Sequence, residues 1–229
     1  MNHPAELAIN QYLEDATSGT SSMSEETITQ IGTDVMDAMR RQFGGGNKRD
    51  EFRLRMSNIG KPTCQLWFAK NKPETALPKP TTFVMNMLLG DIVEAAFKGI
   101  IKEAGVPYED EDNFITLELG GETIKGSYDL VMDGALDDVK SASDWSYRNK
   151  FASYDTLAKS DPFGYVGQLA GYTKATGKKV GGWWVVNKAN GNIKYVPADG
   201  LVLDDEIAKL EETVKTVNDN KFERCFEPV

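Results

Sequence analysis

Residues 126–143 read GSYDLVMDGALDDVKSAS, and the way this stretch turns back on itself decides how the rest of the chain is read. Asp133-Gly134 is a two-residue hairpin signal, because both residue types tolerate the left-handed backbone that a tight turn between strands requires. Strands are therefore expected over 122–132 and 136–141. Side chains alternate along a strand, so Asp138 and Lys140 share one face while Val139 points to the other. The hairpin brings Asp129 beside them. Two carboxylates and an ammonium are thereby gathered at one end of a sheet, where carboxylates can hold a hard cation through oxygen ligands. Phosphodiester hydrolysis needs such a cation to neutralise charge and to activate water. Lys140 would orient that water and stabilise developing negative charge. Taken alone, the Asp-x-Lys triplet also reads as an ion pair on a solvent-facing edge strand, so its context has to carry the weight.

Upstream, Gly120-Gly121 closes a further hairpin between strands over 113–119 and 122–132. A long helix is expected over 81–104, ended by Gly105. Between the first fifty residues and this helix lies a basic, aromatic segment, FRLRMSNIGKPTCQLWFAKNK over 52–72, with Pro62 suited to the first turn of a short helix. Arg53, Arg55, Lys61, Lys70 and Lys72 are candidate phosphate contacts; Trp67 and Phe68 suit either base stacking or the core. The first fifty residues read as two helices, 5–16 and 25–43, with Ser24 as an N-cap and 44–50 as a hinge. Downstream come a variable loop carrying Tyr147, Arg148 and Lys150, a helix over 163–175, strands over 182–187 and 192–197, and a helix over 204–222. The expected fold is α/β, a mixed central sheet flanked by helices, with residues 1–50 as an N-terminal helical arm and 51–229 as the catalytic domain.

Composition sets the bounds. A chain of 229 residues, 40% apolar and 27% charged, can build one proper core and is not wholesale disordered. The formal charge of −9 argues against a passive nucleic-acid coat, yet suits an enzyme that collects carboxylates around a metal beside a locally basic groove. No apolar run approaches the roughly 20 residues of a membrane span, and residues 1–9 lack the regions of a signal peptide, so no membrane and a cytoplasmic location are expected. His3, near a terminus expected to fray, is the only histidine, and Cys64 and Cys225 are the only cysteines. Zinc sites, histidine triads and disulfide frameworks are therefore not expected.

In four places between residues 57 and 175 the chain resembles the RecB-like and lambda-exonuclease-like branch of the PD-(D/E)XK nuclease superfamily. LLGDIVEAAF, residues 88–97, looks like the helix with a glycine four residues before an acidic ligand, here Glu94. GSYDL looks like the motif whose aspartate binds metal, here Asp129. DDVKSAS looks like the acidic-x-Lys strand, here Asp138 and Lys140. GYVGQLAGYTKATG, residues 164–177, looks like the Gln-x-x-x-Tyr helix, here Gln168 and Tyr172. Individually these motifs are weak; their order makes them specific.

The resemblance implies a PD-(D/E)XK restriction-endonuclease-like core holding Mg²⁺ or Mn²⁺ through Glu94, Asp129, Asp138 and the Val139 carbonyl. Lys140 would position water, Gln168, Tyr172 and Ser141 would support substrate, and Arg53, Arg55, Lys61, Lys70, Arg148 and Lys150 would contact DNA. The implied function is a metal-dependent DNA exonuclease of recombination, repair or replication, compact enough to be phage-encoded and then working in the host cytoplasm. A recombination or replication protein is a further implied partner, and the oligomeric state is left open. A structure-selective or nicking endonuclease of the same fold is the alternative; a catalytically inactive DNA-binding or protein-interaction module is the alternative of another class. Some RecB-like relatives carry an iron–sulfur cluster on four cysteines. Two thiolates cannot replace four, so no cluster is expected, and Cys64 is expected to pack as a small apolar residue.

Overall fold

A computed structural model describes residues 3–44, 51–222, 224 and 225; the expected hinge, apart from Gly44, lies outside the described residues. Helices α1 (Pro4–Ser18) and α2 (Glu25–Phe43) are followed by the short α3 (Met56–Ile59) and α4 (Thr63–Asn71), then the long α5 (Phe83–Glu103). Strands β1 (Phe114–Leu119), β2 (Glu122–Ser127), β3 (Leu130–Met132) and β4 (Ala135–Ala142) come next. After them run α6 (Asp144–Arg148), α7 (Tyr154–Lys159), α8 (Tyr165–Thr176), β5 (Lys179–Asn187), β6 (Ile193–Pro197) and α9 (Leu203–Asn218). The result is a mixed α/β protein: a four-stranded sheet in the order β3-β4-β5-β6, packed against helices, with an N-terminal helical region. β4 and β5 are parallel and the other neighbours antiparallel.

β5 is apolar on both faces because it is a central strand covered on both sides. Trp183 and Trp184 are consecutive, so the pleat sends them in opposite directions, and both are fully buried. Each burial contributes on the order of 5 kcal/mol. Trp183 joins the larger core with Leu169 and Ala170 of α8 and Leu210 and Val214 of α9; Trp184 joins a second core with Phe97 and Ile101 of α5. The N-terminal helices belong to this second layer. Ala5 and Ile9 of α1 enter the Trp184 core, and α2 lies so close along α5 that a side chain at Gly99 would collide with Ile31.

Three expectations are corrected. The strand foreseen over 122–132 is two strands in two sheets, because the chain breaks at Tyr128-Asp129: β2 stays with β1, and β3 joins the main sheet. Asn113 and Tyr128 close the β1–β2 hairpin through two hydrogen bonds, after which Asp129 turns toward β4. The variable loop contains α6 and α7, each started by a serine, Ser143 or Ser153, whose hydroxyl accepts from the amide three residues on. His3 does not fray: its Nδ1 accepts from the Ala5 amide at 3.2 Å, and its ring packs against Trp184 and Tyr195.

Candidate active site

β3 pairs with β4 only as far as Leu130 opposite Asp137, so no strand continues alongside Asp138 on that side. Asp129, at the break, takes the vacated position: its Oδ2 accepts from the Val139 amide at 2.7 Å. That bond fixes the carboxylate of one strand end against the backbone of the next. Val139 faces the Trp184 core, while the Asp138 carboxylate, itself buried, is ion-paired with Lys140. Asp129 and Asp138 lie within hydrogen-bonding reach of one another.

Electrostatics bind the cluster together. Burial and then the neighbouring Asp138 push the Asp129 carboxyl up to about 6. Burial also raises Asp138, against the opposing pull of Lys140. The pair therefore retains a shared proton above the ordinary carboxylate range. Burial disfavours the charge on Lys140, but Asp138 and Asp129 outweigh it, so its pKa is raised and the ammonium persists. Glu94 reaches in from α5; burial and then Asp129 raise it, while Lys98, 2.9 Å away, opposes them. On α8, burial pushes Tyr172 up to about 12, and Gln168, one turn earlier, opposes the rise. Gly90 of α5 lies over Ser141, with space for only an ordinary contact between them.

Glu94, Asp129, Asp138, Lys140, Gln168 and Tyr172 are thus brought into one neighbourhood. Glu94 is directed at Lys98, and among the described residues no group of three or more His, Cys, Asp or Glu side chains is gathered closely enough to hold a metal ion. The Asp129–Asp138 pair nevertheless suits a hard cation in its chemistry, being one half-buried and one buried carboxylate whose mutual repulsion a positive ion would relieve.

The expected DNA contacts divide into two groups. Arg53, Arg55 and Lys70 line a groove over β2 with Lys125 and Phe114, away from the carboxylates; the Lys70 ammonium donates to the Val217 carbonyl at 2.6 Å, at the end of α9. Lys61 follows Gly60, whose backbone is in direct contact with Gly164 before α8. Arg148 is ion-paired with Asp144 at 3.0 Å, and Lys150 lies over the rings of Phe163 and Tyr165. Lys194 donates to the Tyr147 carbonyl and covers its ring. Trp67 and Phe68 pack with Phe222. Cys64 is buried, as expected of it, but it is not a free thiol: it is disulfide-bonded to Cys225, with 5.8 Å between the Cα atoms. The pairing spans 161 residues and arises because α4 and the C-terminal segment meet at the end of α9, a juxtaposition that spacing does not reveal.

Sequence reasoning passed over Asp137, Tyr165 and Phe163. Tyr165 was within reach of it, since it sits three residues before Gln168 and so one turn away on the same helix face.

No protein-family model matches the chain, and no curated protein matches it. Among solved structures, the crystal structure of SSO0001 is similar at 13% identity and a TM-score of 0.47, over 90% of this chain and 91% of that one, a likeness too weak to fix fold or function.

Proposed function

We propose that the chain is a divalent-metal-dependent nuclease with a PD-(D/E)XK core, acting on DNA as an exonuclease in recombination, repair or replication, within the cytoplasm. One observation carries this reading. The buried Asp138 and the half-buried Asp129 beside it, their Lys140 counter-ion, Glu94 from α5 and the Gln168–Tyr172 pair from α8 converge from four separate stretches of the chain. Stability alone gives little reason to set a half-buried carboxylate against a buried one, because each loses hydration and repels the other.

Asp129 and Asp138, with Glu94 and the Val139 carbonyl, would hold Mg²⁺ or Mn²⁺. When bound, such an ion supplies positive charge to the phosphate and acidifies an attacking water. Glu94 would exchange its bond to Lys98 for this role. Lys140, kept protonated by Asp138 and Asp129, acts as a fixed ammonium that orients water and faces the phosphate, not as a base. Gln168 and Tyr172 line the α8 side and support the substrate strand.

The test is Mg²⁺- or Mn²⁺-dependent cleavage of end-labelled linear DNA, with Lys140→Ala alongside. Equal activity in the variant removes the mechanism. Covalently closed circular DNA should stay intact, and nicking of it would move the assignment to an endonuclease.

A further inference from the structure

Beyond the carboxylates, on the α8 side, lies a ladder of aromatic rings. Phe151 is buried; the Tyr165 ring stacks on it at 5.9 Å, and the Phe163 ring stacks on Tyr165 at 5.5 Å with only 19° between the planes. Its middle ring adjoins the cluster and one end lies in solvent. Lys140 sits 5.1 Å from the centre of Tyr165, while Phe163 at the other end is 55% exposed.

The turn that carries Phe163 is tied down by hydrogen bonds. Asp161 accepts from the amides of Gly164 and Val166 through its two oxygens, which locks the turn, and the left-handed Gly164 is buried against Gly60. Lys150 lies over the Phe163 ring, 4.5 Å from its centre, and 5.1 Å from that of Tyr165, so an ammonium sits on one face of the exposed ring. Solvent-facing aromatic surface with an adjoining ammonium complements a nucleotide in both its parts, the flat base and the anionic phosphate. The opposite approach to the cluster is unlike this. The groove between α2 and α5 that Glu94 lines carries Asp34, Asp37, Asp91, Asp110 and Glu111 against Arg41, Lys98 and Lys102, a surplus of carboxylates that disfavours a polyanion.

The geometry points to Phe163, backed by Tyr165 and flanked by Lys150, as a stacking platform for an unpaired nucleobase next to the scissile phosphate, which makes the preferred substrate a single-stranded or frayed DNA end. A base inside a duplex is covered on both faces by its neighbours and a terminal pair offers only its outer face, so an unpaired base, free to turn either face to a side chain, uses such a platform best. The inference rests on the nuclease reading for the phosphate's position, and on the ladder itself for the base.

The full chain, with Ca²⁺ replacing the activating ion, is titrated against a fluorescein-labelled dT₁₂ strand and a blunt-ended hairpin duplex, and against a strand carrying 2-aminopurine. Phe163→Ala should weaken dT₁₂ binding by about tenfold, leave the blunt hairpin unchanged, and abolish 2-aminopurine quenching; Phe163→Trp should restore both signals. Because Phe163 is largely exposed, its variants should keep the wild-type circular dichroism spectrum. Equal dT₁₂ affinity and equal quenching in Phe163→Ala overturn the platform, as does a chain that binds no strand. A parallel cleavage assay separates the two ideas. Cleavage that ignores Phe163 leaves the nuclease without the platform, while Phe163-dependent quenching in a chain that never cuts keeps the platform and removes the nuclease.

Discussion

Asp137 and Asp138 are neighbours on one strand, both almost wholly buried, yet the pleat sends them into different chemistry. Asp137 Oδ1 accepts from the Gly182 amide and the Tyr195 hydroxyl, both at 2.8 Å and both neutral. Burial pushes it up to about 6, and those hydrogen bonds oppose the rise. It ties β4 to β5 and β6. Asp138 meets an ammonium and a second carboxyl instead, so its partners are charged. Burial and a raised pKa therefore do not by themselves mark a functional acid; the nature of the surrounding donors separates the two roles.

The sharpest way to break this contrast is to remove one acid at a time. Lys140→Ala and Asp138→Ala should each lower DNA cleavage by about 10²–10⁴-fold in a gel assay with Mg²⁺. Asp137→Ala should leave cleavage per folded molecule within about threefold. Its cost should be stability, on the order of 2–4 kcal/mol in urea denaturation, because the Gly182 amide and Tyr195 hydroxyl lose their acceptor. Matching cleavage losses in the Asp137 and Asp138 variants would dissolve the distinction.

On the α8 side, Tyr172→Phe deletes only the hydroxyl one turn along from Gln168. It should slow cleavage by about tenfold with a thermal midpoint close to wild type. On the Asp137 side the expected signature is pH-dependent stability. Burial lowers the pKa of His3 from its ordinary 6.5, so below 6.5 the unfolded chain binds more protons than the folded one. The stability linked to neutral His3 is present above 6.5 and is lost as the pH falls through the depressed folded value. Protonation also removes Nδ1 as acceptor for the Ala5 amide. His3→Gln should flatten this part of the thermal-midpoint profile below pH 6.5 by a small margin, and cleavage at pH 7.5 should be unchanged.

Local signals were the legible part of this protein. The Gly120-Gly121 and Asp133-Gly134 turns, the Ser24 cap and the long apolar helix all appear within a residue or two of where sequence puts them. So does the alternation that parts Val139 from Asp138 and Lys140, because turn geometry and pleat depend on adjacent residues only. The break at Tyr128-Asp129 was not legible, since what stops the strand is the Val139 amide ten residues away. Nor was the Cys64–Cys225 bond, nor the docking of α1 and α2 onto α5.

The sequence by itself determined which residue types are candidates for the site, on which elements they sit and in what order. Only the tertiary structure decided which of two adjacent aspartates meets a lysine and which meets a tyrosine, that Glu94 turns to Lys98, and that Phe163 stands exposed at the end of a ladder whose middle ring adjoins Lys140. The reason is physical. Periodicity and turn propensity are set by neighbours along the chain, whereas burial, pairing and pKa are set by groups that arrive from distant segments once the two cores close around β5.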